Sequence, residues 1–194
     1  MLSVIITFMT RFYTGKGDDG YTGLLGEGRV PKYHPKTETL GAVDEATAAL
    51  GMARSLCRAP GIPELIMTVQ RDLYGLMAEV SATAENVARF RVIDAGRVGW
   101  LEERTDDFSK SVEIPKDFVL PGDSPGGAAF SLARTIVRRA ERRVAELLHS
   151  GEIENKQLLK YLNRLSSLCF VLELVENQSS GRSQPTLAKS IPGE

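Results

Sequence analysis

Long apolar runs are missing from this chain. The one near its start, Met-Leu-Ser-Val-Ile-Ile-Thr-Phe-Met, is too short to span a bilayer and has neither the basic stretch nor the cleavage site of a secretory leader. Net charge is nearly missing too. Lys and Arg number 24 against 25 Asp and Glu, a formal charge of −1, which leaves no basis for wholesale binding to nucleic acid or to a membrane surface. Only two cysteines occur, Cys57 and Cys169, far apart and with no CxxC. Both sit in apolar helical surroundings, as reduced core residues of a cytoplasmic protein do. Only His34 and His149 are present, too few for a histidine-based metal site. A strand pattern of any length is absent, and no internal repeat is visible.

Helical spacing is what remains. The 194 residues, 42% of them apolar and 25% charged, suffice for one domain with a real core. The stretch Phe118 to Val144 reads as a tight turn launching a long helix. Pro121 and Gly122 break the chain, Ser124 suits the N-cap, and Pro125 suits the first helical position. Apolar residues then recur at 129, 132, 133, 136, 137, 140, 144, 147 and 148, one stripe at helical period. The opposite side carries five arginines, Arg134, Arg138, Arg139, Arg142 and Arg143, and no lysine. Spaced i, i+4, i+7, Arg134, Arg138 and Glu141 fall within about 40° on the helical wheel. Guanidinium groups make forked bonds to phosphate and carboxylate. On helix statistics the same face also reads as a solvated surface with i,i+4 support from Glu141.

Residues 10–34 are glycine-rich, with six glycines between 15 and 28, which rules out a stable helix. Gly15-Lys16-Gly17-Asp18-Asp19-Gly20 matches GxGxxG, but it opens no helix and no strand–helix–strand unit follows; a Walker sequence is absent because Gly17 follows Lys16. What remains is a long loop, with short extended pieces at most. Its backbone N–H groups, the hydroxyls of Thr14 and Thr22, and Lys16, Arg29 and Lys32 suit phosphate oxygens, with the aspartates near a metal ion.

Four further helices follow from the 3–4 spacing: about Pro35 to Cys57, from the turn at 58–63 to about Asn86, about Asp94 to Phe108, and about Glu154 to Asn177. Gly151 closes the Ser124 helix. The expected fold is all-α, an antiparallel five-helix bundle with a glycine-rich N-terminal loop. Residues 1–9 read as an extension, with Met9 a candidate translation start, 10–177 as one domain, and 178–194 as a flexible tail. Asn163 and Arg164, between Leu162 and Leu165, are helix-surface residues on statistics; facing the core they need partners. Phe118, placed by a turn rather than a helix face, reads either as a core plug at the bundle end or as a wall of a binding site.

Six ordered blocks then combine: Thr14-x-x-Gly17-Asp18-x-Gly20-x-Thr22-Gly23-Leu24; Arg29-Val30-x-Lys32; Gly41-x-Val43-Asp44-Glu45; Phe118-x-Leu120-Pro121-Gly122-x-Ser124-Pro125; Ala133-Arg134-Thr135-x-x-Arg138-Arg139-Ala140-Glu141-Arg142; and Tyr161-Leu162-Asn163-Arg164-Leu165-Ser166. From about Thr10 to Asn177 the chain resembles the PduO-type ATP:cob(I)alamin adenosyltransferases. The resemblance implies a homotrimer with sites at the subunit interfaces and two small-molecule substrates, ATP and cob(I)alamin, with Mg2+ between phosphates. It implies ATP on the loop of Thr14, Gly15, Lys16, Gly17, Asp18, Gly20 and Thr22, Lys32 and Arg138 near the phosphates, and Glu141 and Asn163 near the nucleotide. It also implies an intersubunit salt bridge between Asp44 and Arg134, and Phe118 packed under the corrin ring to keep the lower axial position empty. Metal ligands are not implied residue by residue.

Such a reaction needs no side-chain nucleophile or base, because cob(I)alamin is itself the nucleophile; the protein aligns the reactants and neutralises the leaving triphosphate. The chain departs from the family pattern at Asp123, where a second glycine is usual, at Ala46-Thr47, where Leu-Asn is common, and at Ser167, where Asp is common. Asp123 brings a charge close to the expected corrin pocket. A helical trimer that binds ATP or a corrinoid without turnover, as sensor or carrier, is the alternative reading, and a scaffold presenting the arginine face to acidic partners is a third.

Overall fold

The computed structural model describes residues 13–189; the extension 1–9 and Met9 lie outside them. Five helices form: α1 Pro35–Leu56, α2 Ile62–Ser81, α3 Ala95–Ser109, α4 Pro125–His149 and α5 Lys156–Ser179. Four of the five begin at a side-chain cap. His34 Nδ1 accepts from the Lys36 N–H ahead of Pro35, Asp94 accepts from Arg97 N, Ser124 from Gly127 N and Asn155 from Gln157 N, each satisfying an N–H that the helix leaves open.

The packed neighbours run α2–α1–α4–α5–α3. Side chains close the circuit from α3 back to α2: Arg97 donates to Asp72 at 2.7 Å, and the buried Tyr161 hydroxyl of α5 donates to the same carboxylate at 2.6 Å. Arg97 also lies over the Trp100 ring, 3.8 Å from its centroid. The core between the helices is aliphatic, with Val43, Leu50, Ile66, Leu73, Phe130, Val137, Leu162 and Leu172 fully buried. Leu132, counted in the apolar stripe of α4, instead faces outward and is half exposed.

The short extended pieces allowed for the glycine-rich loop form a small ribbon: β1 Tyr21–Gly23 pairs antiparallel with β2 Arg29–Pro31, with Thr22 opposite Val30. Two features differ from the sequence expectation. Helix α2 stops at Ser81 rather than near Asn86, because the loop docks on its end. Leu25 N–H bonds the Ser81 carbonyl at 2.8 Å, and Thr83 N–H bonds the Leu25 carbonyl at 3.2 Å. Finally, the stretch after 178 is tied down in part. α5 runs to Ser179, and Leu120 N–H bonds Thr186 O while Ala188 N–H bonds Phe118 O, both at 2.8 Å. Asp123 accepts from the Thr186 N–H and hydroxyl at 2.9 and 2.6 Å. Those two bonds hold its carboxyl below the usual carboxylate range, so the charge stays in place, and it is felt at Glu173.

Candidate active site

Everything in the α4 wall depends on how its first turn is docked. The Ser124 hydroxyl caps Gly127 and donates to the Asn177 side chain at 2.7 Å. A Cβ on Gly127 would stand 2.0 Å from Asn177 Oδ1, and one on Gly126 would stand 2.9 Å from Glu176 Oε2. Only glycine lets α4 approach α5 this closely. Glu176, fully buried, turns its carboxylate to the Arg58 and Ala59 N–H groups at 3.0–3.2 Å. The launch of α4, the α1–α2 turn and the end of α5 are thus one hydrogen-bonded unit. It fixes the height at which Arg134 and Arg138 leave α4.

Those arginines enter a cleft of about 670 Å³ lined by Phe118, Val119, Ser131, Arg134, Arg138, Ser166, Phe170, Val171 and Glu173, among others. Phe118 is 66% exposed at this cleft, so it is not a core plug. Its backbone is held by Ala188, and no helix face positions its ring. Arg138 is exposed and makes no ion pair among the described residues. Arg134 is half buried, and its Nε is buried without a partner. Glu173, 2% exposed, likewise has an unpartnered Oε1. Burial pushes its carboxyl up, against the opposing pull of the Ser131 hydroxyl and the Arg134 charge. Cys169 lies nearby at full burial, and desolvation pushes its thiol up to about 12. A thiol held neutral there offers no nucleophile.

The arginine face divides by role. Arg139 pairs with Glu45 of α1, and Arg143 reaches Glu146 at 3.0 Å and Glu38 of α1 at 3.9 Å; these are solvated surface pairs, and none is the Glu141 support that i,i+4 spacing offers. Glu141 belongs to a different network. It accepts from Asn163 Nδ2 at 2.8 Å, Asn163 accepts from Arg164 at 2.7 Å, and Arg164 bonds Glu102 at 2.7 Å. Sequence spacing could not reveal that Glu141 and Asn163, on two helices, form one hydrogen-bonded pair.

The glycine-rich loop is more self-contained than its composition suggests. Gly15 and Gly20 take positive φ, 69° and 81°, and the N–H groups of Asp18 and Gly20 close turns onto Gly15 and Gly17. Lys16 N–H bonds Thr14 Oγ1 at 3.3 Å, and Lys32 N–H bonds the Gly20 carbonyl at 2.9 Å. Arg29, counted by sequence among the phosphate ligands, is the pin of the loop: it grips Asp19 at 2.7 and 2.8 Å and two carbonyls besides. The Lys32 ammonium folds over Gly17, where an added Cβ would meet it at 3.0 Å. Thr14, Lys16, Asp18 and Lys32 are exposed, and Thr22 is half buried in β1. Among the described residues no group of three or more His, Cys, Asp or Glu side chains could hold a metal.

The fold gathers the sequence-predicted residues into separate sets. Phe118, Arg134 and Arg138 share the cleft, Glu141 and Asn163 are bonded to each other, and the loop holds Thr14 to Lys32. Asp44 belongs elsewhere, on an exposed hollow with Leu25, Leu40, Tyr74 and Met77. The exposed Glu45–Arg139 pair marks the level at which α1 lies beside α4. Arg134 stands five residues before that partner, roughly 7–8 Å of helix rise away. No ion pair joins Asp44 to Arg134 within the described chain. Two unlike surfaces therefore carry exposed apolar side chains. One has Tyr74 at 73% and Leu25 at 41%, the other Phe118 at 66% and Ile114 at 48%.

The model of one protein family, cobalamin adenosyltransferase, matches residues 12–176. The corrinoid adenosyltransferase of Bacillus subtilis is 37% identical over 175 residues, covering 88% of this chain and 89% of that protein. The corrinoid adenosyltransferase PduO of Citrobacter freundii is 35% identical over 170 residues, and 87% of this chain spans only half of that longer protein. A solved variant of the PduO-type ATP:corrinoid adenosyltransferase from Lactobacillus reuteri, complexed with cobalamin and ATP, superposes with a TM-score of 0.84 at 28% identity, over 93% of this chain and all of the other.

Proposed function

The chain belongs to the cobalamin adenosyltransferase family, and from that premise we propose that it transfers the 5′-deoxyadenosyl group of ATP to the cobalt of cob(I)alamin. The cobalt electron pair forms the Co–C5′ bond, the C5′–O bond breaks, and triphosphate leaves with that bond's electrons. The products are adenosylcobalamin and triphosphate. The observation that carries this reading is the cleft itself. An exposed aromatic and an arginine with no ion pair among the described residues share its wall, and no cysteine or histidine is among the described residues that line it. A cleft of this kind aligns and neutralises; it does not attack.

In this reading the loop from Thr14 to Thr22, with Lys16 and Lys32, takes the triphosphate. Gly15, Gly17 and Gly20 let the backbone come close to it, and Asp18 is the loop carboxylate left free of an ion pair. Mg2+ arrives with the triphosphate, held chiefly by phosphate oxygens, since the described residues supply no ligand cluster. Arg138 meets the leaving group with a fork. The Glu141–Asn163 pair faces the nucleotide. Phe118 lies under the corrin ring and offers no lone pair to cobalt, which leaves the lower axial position empty and eases reduction of cob(II)alamin.

The assembly in this reading is a homotrimer whose sites lie between copies. Two different apolar patches, with Asp44 in one and Arg134 beside the other, suit the head-to-tail contact of a closed ring. Asp44 of one copy then pairs with Arg134 of the next. A cytoplasmic location accords with two reduced cysteines, and no helix among the described residues is long and apolar enough to cross a membrane.

The test is spectral. Protein, ATP, magnesium and chemically reduced cobalamin should yield the adenosylcobalamin spectrum with release of triphosphate. ATP binding without product would instead mark a sensor or carrier. Arg138→Lys replaces a forked contact with a point contact and should lower kcat/KM for ATP about 10- to 150-fold, a loss of roughly 1.5–3 kcal/mol. An unchanged value would remove Arg138 from the site.

A further inference from the structure

Two buried polar atoms in the cleft have no work in the reaction as written. Glu173 Oε1 is an acceptor and Arg134 Nε–H is a donor, and neither has a partner among the described residues. They belong to facing helices, both line the cleft with Phe118, and they are close enough that the Arg134 charge acts on the Glu173 carboxyl. Ser131 of α4 lines the same cleft, and its hydroxyl and the Asp123 charge both act on that carboxyl. Native interiors seldom leave a buried donor and a buried acceptor both unmet. Glu176, one turn further along α5, shows what a structural carboxylate looks like here, with its oxygens bonded to two backbone N–H groups.

A neighbouring donor and acceptor together match a primary carboxamide. That group presents an N–H and a C=O in one plane, one for each orphan atom. A carboxylate brings only acceptors, so Glu173 would repel it; an alkyl group satisfies neither atom. Corrinoids carry side chains ending in primary carboxamides around the macrocycle rim. We propose that Glu173 Oε1 accepts from the NH2 group, and Arg134 Nε donates to the carbonyl, of one rim carboxamide of the corrinoid substrate. Glu173 is then a specificity-determining residue of the cleft. The other guanidinium nitrogens of Arg134 remain available to Asp44 of a neighbouring copy. The inference rests on the adenosyltransferase reading.

The experiment compares cobalamin with its separated monocarboxylic acids, each having one rim carboxamide hydrolysed, in wild-type protein and in Glu173→Gln. Wild type should discriminate against one isomer by about tenfold or more in KM for the corrinoid, because its carboxylate faces the Glu173 oxygen. In Glu173→Gln, whose amide can donate to that carboxylate, the penalty for the same isomer should shrink severalfold. The KM for ATP and the melting temperature should stay at wild-type values. Equal KM for every isomer in wild type would overturn the proposal, and that arm needs no variant to fold. An isomer penalty identical in Glu173→Gln would also overturn it, leaving water as the partner of the two atoms. Failure of wild type to adenosylate cobalamin itself would instead defeat the enzyme reading.

Discussion

Glu176 and Glu173 are both buried carboxylates on α5, three residues apart, yet they stand in opposite situations. Around Glu176, every group is spent. Its oxygens take the Arg58 and Ala59 N–H groups, Asn177 takes the Ser124 hydroxyl, and Gly126 and Gly127 leave no spare volume. Around Glu173 the seam between α4 and α5 opens into a cleft. There an acceptor, a donor and an exposed phenylalanine lack partners among the described residues. The same two helices are closed architecture at one end and an open cleft one turn later. The difference teaches where to look for function in a bundle: at buried polar groups that the fold has not satisfied, since stability alone would have paired them or removed them.

The largest expected effect lies at the closed end. Glu176→Ala strands two backbone N–H groups at the α1–α2 turn and should cost about 4 kcal/mol in urea-unfolding stability. A loss below about 1 kcal/mol would show that water replaces the carboxylate and that this end is not as closed as described. Asp44→Asn probes whether the open end is completed by another copy. If Asp44 pairs with Arg134 across an interface, removing its charge leaves a desolvated guanidinium, at about 3 kcal/mol per contact. Sedimentation at micromolar protein should then show dissociation, with chain stability held. An unaltered sedimentation profile and unaltered activity would break the pairing.

The smallest effect on stability is expected at Phe118. Because the ring is two-thirds exposed, Phe118→Ala opens no core cavity and should change unfolding stability by under about 1 kcal/mol. Its consequence should be spectroscopic. Wild type with ATP should display four-coordinate cob(II)alamin by magnetic circular dichroism, and the variant should lose it. Turnover from cob(II)alamin should fall more than turnover from pre-reduced cob(I)alamin. A four-coordinate signal that survives the substitution would assign the lower face to another residue.

Helix periodicity made the five helices legible, and caps such as Ser124 and Asp94 marked two of their beginnings closely. The end of α2 was not legible, because the groups that terminate it, Leu25 and Thr83, act through backbone hydrogen bonds with a loop more than fifty residues upstream. Arg29 looked like a phosphate ligand because composition does not show that Asp19 already holds it. The contact of Asp123 with Thr186 was not legible either, because nothing in the neighbourhood of Asp123 announces a partner more than sixty residues downstream.

By itself, then, the sequence determined what depends on local period and local chemistry: the helical class, the turn before α4, the glycine-rich loop, the arginines at one turn's spacing, and the ordered blocks that mark the family. The tertiary structure alone decided which charges are free. Arg134 and Arg138 are left to the cleft while Arg139 and Arg143 are spent on surface pairs; Glu141 meets Asn163; Glu173 is stranded while Glu176 is saturated. These outcomes follow from which helix face meets which, through side-chain contacts between residues distant in the chain.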